Sequence, residues 1–178
     1  MSYKYKKYTK LNPHEKKILL EWWGSETTKE PHMITESPEN LEANLIEGVI
    51  VYKNNKIIAA SGIFPARTNS HQEIYHNNFF VVELGSNYVD PNDREKGIGK
   101  QLLVMRLKIC SKNKWFPVSV TTNKTMQHIF KTNGGIDMDN KPIFEKIRKD
   151  LCICKIISPE CKACPLQEKG GWVFMNLG

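Results

Sequence analysis

The stretch FFVVELGSNYVDPNDREKGIGK, residues 79–100, decides how this chain folds. Phe79 to Val89 is an apolar-rich run that reads as a central strand. Asp90-Pro91 closes it, because proline has no N–H with which to continue a ladder. From Ile98 to about Cys110 the pattern becomes helical, with Ile98, Leu102, Leu103, Leu107, Ile109 and Cys110 near a 3.6-residue period. Gly97 and Gly99 therefore sit in a strand-to-helix turn, where unpaired N–H groups and the helix dipole favour an anion. Glycine lets a phosphate approach the backbone without a Cβ in the way. Arg94, Lys96 and Lys100 place positive charge around it, so the turn reads as a pyrophosphate cradle.

Two familiar phosphate loops do not fit. A P-loop needs glycine at 94 and Ser or Thr at 101, where the chain has Arg94 and Gln101. A dinucleotide fingerprint begun at Gly97 needs a third glycine at 102, which is Leu102. What remains is R-x-x-G-x-G, spanning Arg94 to Gly99. Together with Val89-Asp90-Pro91, Leu102-Leu103, a later strand and a further helix, it resembles the acetyl-coenzyme A signature of the GNAT superfamily of N-acetyltransferases, over roughly residues 48 to 135.

That resemblance implies an α/β (α+β mixed sheet) GNAT-like fold, its mostly antiparallel central sheet flanked by helices. It implies that acetyl-CoA is the co-substrate, gripped by Arg94, Glu95, Lys96, Gly97, Ile98, Gly99 and Lys100. The backbone of Tyr88 and Val89 would pair with the pantetheine arm like an added strand, one N–H polarising the thioester carbonyl. The family's central strand usually bulges, and Gly85 is compatible with a bulge. Glu83 resembles the glutamate that often serves as general base on this strand, with a structural ion pair as the competing role; His71, Glu73 and His76 are weaker substitutes. Asn123, Ile129 and Phe130 follow the second family element, so Asn123 would bind the pantetheine or cap a helix. Here the chain departs from the pattern. Met126 replaces a small residue, and Phe130 replaces a tyrosine that often protonates the leaving thiolate. Tyr88 is a stand-in for that acid, and a thiol of pKa about 8.5 is a fair leaving group unaided.

Outside the signature, Asn12-Pro13 with Glu15 announces a first helix carrying Ile18, Leu19, Trp22 and Trp23 and stopping at Gly24. Ser37-Pro38-Glu39 starts a second, through Leu41, Leu45 and Ile46 before Gly48. In the superfamily such helices wall the acceptor site, so Trp22, Trp23 and His32 are candidate substrate contacts as well as packing residues. Val49 to Lys53 and Lys56 to Phe64 read as strands joined by a tight turn at Asn54-Asn55. His71 to Asn78 reads as a polar connection, Phe116 to Thr122 as a strand and Lys124 to Thr132 as a helix before Gly134-Gly135. Pro142 to Leu151 looks helical, and Trp172 to Asn176 would be the last strand.

Length and charge bound the rest. The 178 residues suit one domain, 1–178, with no repeat and a late Cys-rich insertion at 141–170. No apolar run reaches the ~18 residues of a membrane span, and the N-terminus lacks the core of a secretory signal, which points to the cytoplasm. The formal charge of +7 suits an anionic cofactor or a solvated basic surface and names no acceptor. Cys110 belongs to the helix stripe, whereas Cys152, Cys154, Cys161 and Cys164 fall in one short stretch. Four thiolates suit a tetrahedral structural zinc site; reduced free thiols, an iron–sulfur cluster and a redox disulfide are the alternatives.

The sequence reading is therefore an acetyl-CoA-dependent N-acetyltransferase, a monomer or homodimer. It would act directly on a primary amine of a small molecule or a protein, without a membrane partner. The alternatives are a catalytically silent CoA-binding module and a zinc-assisted protein that modifies or binds nucleic acid, a partner that is less favoured because no aromatic-interleaved basic tract is obvious.

Overall fold

A computed structural model describes residues 2–30, 33, 37–66, 73, 75–76, 78–121, 123–137 and 171–174. The elements run β1 (Tyr3–Lys7), α1 (Pro13–Thr27), α2 (Pro38–Asn44), β2 (Glu47–Lys53), β3 (Lys56–Pro65), β4 (Tyr75–His76) and β5 (Phe79–Val89). They continue with α3 (Ile98–Asn113), β6 (Trp115–Val120), α4 (Lys124–Thr132), β7 (Gly135–Asp137) and β8 (Gly171–Phe174). Among the described residues no helix is long and apolar enough to cross a membrane. The helix expected at Pro142 to Leu151 lies outside them, as do His32, His71 and the 141–170 segment with its four cysteines.

The fold is mixed α/β, and the chain divides into two compact units. One comprises Met1–Phe64 with Leu84–Arg106. Its strand order is β1-β2-β3-β5, with β1 and β2 antiparallel from Tyr3↔Lys53 to Lys7↔Val49 and β2 and β3 antiparallel from Glu47↔Ile63. β1 carries Tyr and Lys where the sequence signals are weak, and it was not anticipated. The β2–β3 turn has φ of +50° at Asn54 and +61° at Asn55, the mirror-image geometry that suits right-twisted strands. α1 opens with a capping box: the Asn12 side chain accepts from the Glu15 N–H at 2.9 Å, and the Asn12 N–H donates to Glu15 at 3.1 Å.

Gly24 does not stop α1, contrary to its expected role. It is buried within the helix, where Thr27 Oγ1 donates to its carbonyl at 2.9 Å. A mid-helix glycine costs about 1 kcal/mol, which the packing of this face offsets. The core beneath α1 and α2 joins Leu19, Leu20, Trp23, Leu41, Leu45, Ile50, Ala60 and Tyr88.

The second unit comprises Pro65–Glu83 with the chain from Leu107 onward. Its strand order is β5-β6-β8-β7. β5 and β6 run parallel from Phe80↔Trp115 to Glu83↔Val118, while β8 lies antiparallel to both β6 and β7. β4 falls inside the connection expected to be polar, because His76 pairs with Phe79 and packs at a tilt against Phe116, ring centroids 4.8 Å apart. Cys110 is fully buried near the end of α3, and Phe130 is buried on α4.

β5 is shared by both units, and it is not regular. Asp90 N–H donates to the Ile58 carbonyl at 2.8 Å, and Ala66 N–H donates to the Val81 carbonyl at 3.1 Å. Between those two bonds β5 and the residue after it advance nine residues, from Val81 to Asp90, while β3 and the residue after it advance eight, from Ile58 to Ala66. One extra residue on β5 is a β-bulge. Ser86, with φ of +47° in mid-strand, marks its place beside Gly85.

Candidate functional site

The turn between β5 and α3 combines local backbone bonds with long-range ties to β1, β2 and the residues after α1. Asp90 caps a single 3-10 turn, Pro91–Asp93, accepting from the Asn92 N–H at 2.9 Å. Glu95 and Gly97 then take left-handed backbone, with φ of +62° and +78°. A Cβ at Gly97 would meet nothing within 4 Å, so it is the backbone conformation and not space that calls for glycine. The first helical bond runs from Gln101 N–H to the Gly97 carbonyl at 3.0 Å. The N–H groups of Ile98, Gly99 and Lys100 therefore have no intrahelical acceptor. The first turn of α3 carries no acidic side chain, whereas α1 has Glu15 there and α2 has Glu39. The positive end of the α3 dipole is thus left uncompensated by its own sequence.

Two of the three expected phosphate cations are already engaged. Lys96 Nζ donates to Asp93 at 2.8 Å and to the Asn92 carbonyl at 2.6 Å. Arg94 Nε donates to the Val89 carbonyl at 3.0 Å, and its guanidinium pairs with Glu30. Lys100 is exposed and has no ion pair among the described residues. Asp93 is the hub that the sequence did not reveal. Only 3% exposed, it holds Lys53 at 2.7 Å, Lys96 at 2.8 Å and the Tyr3 hydroxyl at 3.2 Å, tying β1 and β2 to the turn. Hydrogen bonds from Lys53 and then Lys96 draw its pKa down to about 2.

The C-terminal half of β5 meets α1. Trp23, fully buried, donates its indole N–H to the Ser86 carbonyl at 3.1 Å. Arg106, also fully buried, donates from one guanidinium nitrogen to the carbonyls of Gly62 at 3.1 Å and Gly85 at 3.3 Å. Both successive carbonyls at the bulge are therefore held by side chains. A left-handed non-glycine residue costs about 1–2 kcal/mol, so Ser86 needs such support. Tyr88 is buried, lies edge-on to Trp22 with ring centroids 5.6 Å apart, and donates its hydroxyl to Glu26 at 2.7 Å. Burial, then the bond to Glu26, raises the Tyr88 pKa far above the ordinary phenol range. Burial pushes the Glu26 carboxyl up, but hydrogen bonds from Lys29 and Tyr88 outweigh it and leave it below its usual value.

In the other unit, Glu83 is half-buried on β5 opposite Val118. Asn123 caps α4, its Oδ1 accepting from Thr125 N–H at 2.9 Å and Met126 N–H at 3.2 Å. Glu73 accepts from the Tyr75 hydroxyl at 3.0 Å. Among the described residues no group of three or more His, Cys, Asp or Glu side chains is placed to hold a metal. Glu26, Glu30 and Arg106 join Asp93 as site neighbours missed in the sequence. Arg106 had a readable signal, since Ile98, Leu102, Arg106 and Cys110 fall at strict four-residue spacing.

No protein-family model and no curated protein matches the sequence. Solved structures do match its fold. An N-acetylglutamate synthase from Neisseria gonorrhoeae, complexed with coenzyme A and N-acetyl-glutamate, is 12% identical with a TM-score of 0.63; the match covers 98% of this chain and 35% of that one. A GNAT-family acetyltransferase from Staphylococcus aureus is 18% identical with a TM-score of 0.60, covering 99% of this chain and 100% of that one. A predicted acetyltransferase from Clostridium acetobutylicum, solved with acetyl-CoA, is 19% identical with a TM-score of 0.58, covering 79% and 94%. The chain has the fold of GNAT acetyltransferases.

Proposed function

We propose that the protein is an acetyl-CoA-dependent N-acetyltransferase that carries an acetyl group directly to a primary amine, acting in the cytoplasm. The observation that carries this reading is the left-handed Gly97 turn feeding an acid-free helix N-terminus at the end of a bulged strand. Neighbours of the same fold were solved with coenzyme A or acetyl-CoA, which supports the choice of ligand. Backbone N–H groups of Gly97 to Lys100 would hold the diphosphate, with Arg94, Glu95, Lys96 and Lys100 shaping the rim. Among the described residues of this rim, Lys100 is a cation in no ion pair. The backbone of Tyr88 and Val89 would align the pantetheine arm and polarise the thioester carbonyl. Arg94 would have to leave the Val89 carbonyl for the arm to use both groups of that residue.

Glu83 would take the proton that a protonated amine, of pKa about 10, must lose before attack. The new C–N bond then forms as the C–S bond breaks. Phe130 has no proton for the leaving thiolate, and the Tyr88 hydroxyl is committed to Glu26. Giving up that proton would set a phenolate beside a carboxylate, so in this reading the thiolate departs without a dedicated tyrosine. Asn123 and Phe130 would line the arm. The acceptor is a small-molecule amine, the class suggested by the N-acetyl-glutamate in the Neisseria enzyme. Cys152, Cys154, Cys161 and Cys164 would close a structural zinc site. Metal analysis of the Cys161→Ser, Cys164→Ser variant tests it, and negligible zinc in the native protein would end it.

The deciding experiment is calorimetric titration with acetyl-CoA, followed by thiol release across a panel of amines. Heat of binding with amine-dependent release is expected. Well-folded protein giving no heat would overturn the assignment.

A further inference from the structure

We propose that Trp23 and Arg106 are positioning residues that hold the bulge of β5 open and so set the Tyr88 and Val89 backbone against the thioester. This inference rests on the acetyl-transfer reading. Carbonyls inside a sheet are ordinarily taken by the neighbouring strand. At Gly85 and Ser86 they are taken by side chains from two helices, the indole of α1 at 3.1 Å and the guanidinium of α3 at 3.3 Å. Arg106 also takes the Gly62 carbonyl on the facing strand at 3.1 Å, so one nitrogen spans the place where β3 and β5 would otherwise close. Both side chains are fully buried, and the indole N–H and one guanidinium nitrogen donate to backbone carbonyls, which suits supports more than ligand contacts. The residues they fix, Gly85 and Ser86, lie three and two positions before Tyr88. Small errors in such placement are expensive: a shift of about 1 Å is enough to cost about a hundredfold in rate.

The test compares the native protein with Trp23→Phe, which loses the N–H donor, and with Arg106→Lys and Arg106→Met, which keep and lose a donor. Circular dichroism establishes that each is folded. Acetyl-CoA affinity is expected to stay within about threefold, because the diphosphate grip lies elsewhere. The kcat is expected to fall about 10- to 100-fold, with Arg106→Lys retaining more than Arg106→Met. Hydrogen exchange at the Ser86 to Val89 amides of the unliganded proteins is expected to change in the same variants.

Folded variants with native kcat would overturn the proposal, as would a lost kcat with native exchange at those amides. Should the native protein neither bind acetyl-CoA nor release thiol, the acetyl-transfer reading and the catalytic half of this one fall together. The exchange measurement still decides whether Trp23 and Arg106 hold the bulge.

Discussion

A carboxylate held by two lysines away from solvent behaves differently from the same group in water, and Asp93 shows the consequence. Its folded pKa, near 2, lies below the ordinary carboxylate value, so it contributes stability above about pH 4. That contribution fades as pH falls from about 4 to 2. Melting curves across this window should drop less steeply for Asp93→Asn than for the native protein, and parallel curves would show that Asp93 is not the group responsible. Glu83→Gln should lower turnover at neutral pH by about 100-fold while leaving acetyl-CoA affinity intact. Initial rates with a saturating amine check it, and full turnover would remove Glu83 as the base. Gly97 was legible because glycine in a strand-to-helix turn lets an anion approach the backbone, whereas its left-handed φ of +78° emerges only from the structure. Asp93 was not, because its partners Tyr3 and Lys53 lie far away in the chain and only Lys96, three residues on, is local.

Elements with strong end signals were the readable ones. The Asn12 capping box sets the start of α1, and Asn12→Ala should cost about 1 kcal/mol in urea unfolding. At the other end of that helix the glycine rule failed, since burial against the core outweighs a local preference. Gly97→Val should weaken acetyl-CoA binding about tenfold or more by straining the turn, with little change in acceptor choice. Unchanged affinity by calorimetry would count against the cradle. The bulge of β5 was unreadable in detail because its position follows from tertiary bonds by Trp23 and Arg106. Gly85 merely permits it. Arg106 hid in plain view, a charged side chain at a stripe position that hydropathy alone discounts.

At the scale of the whole molecule, the resemblance carried by the glycine turn and its flanking elements made the mixed α/β, GNAT-like fold legible. β1 was lost because alternating Tyr and Lys carries little hydrophobic contrast until β2 supplies a partner. Overall charge is a weaker guide. The excess of +7 is distributed over a chain in which Arg94 and Lys96 are already spoken for. Diphosphate binding should therefore depend only mildly on salt, with Lys100→Ala giving a larger loss of affinity than Lys96→Ala. Calorimetry at low and moderate ionic strength distinguishes the two variants.

Burial of Cys110 has a practical consequence. A thiol sealed inside α3 is hidden from alkylating reagents while the protein stays native. Of the five cysteines, a maleimide titration would then count at most the four late ones, and the fifth would report only after denaturant opens the chain. The difference between the two counts is a built-in gauge of folding, readable without a chromophore or a substrate.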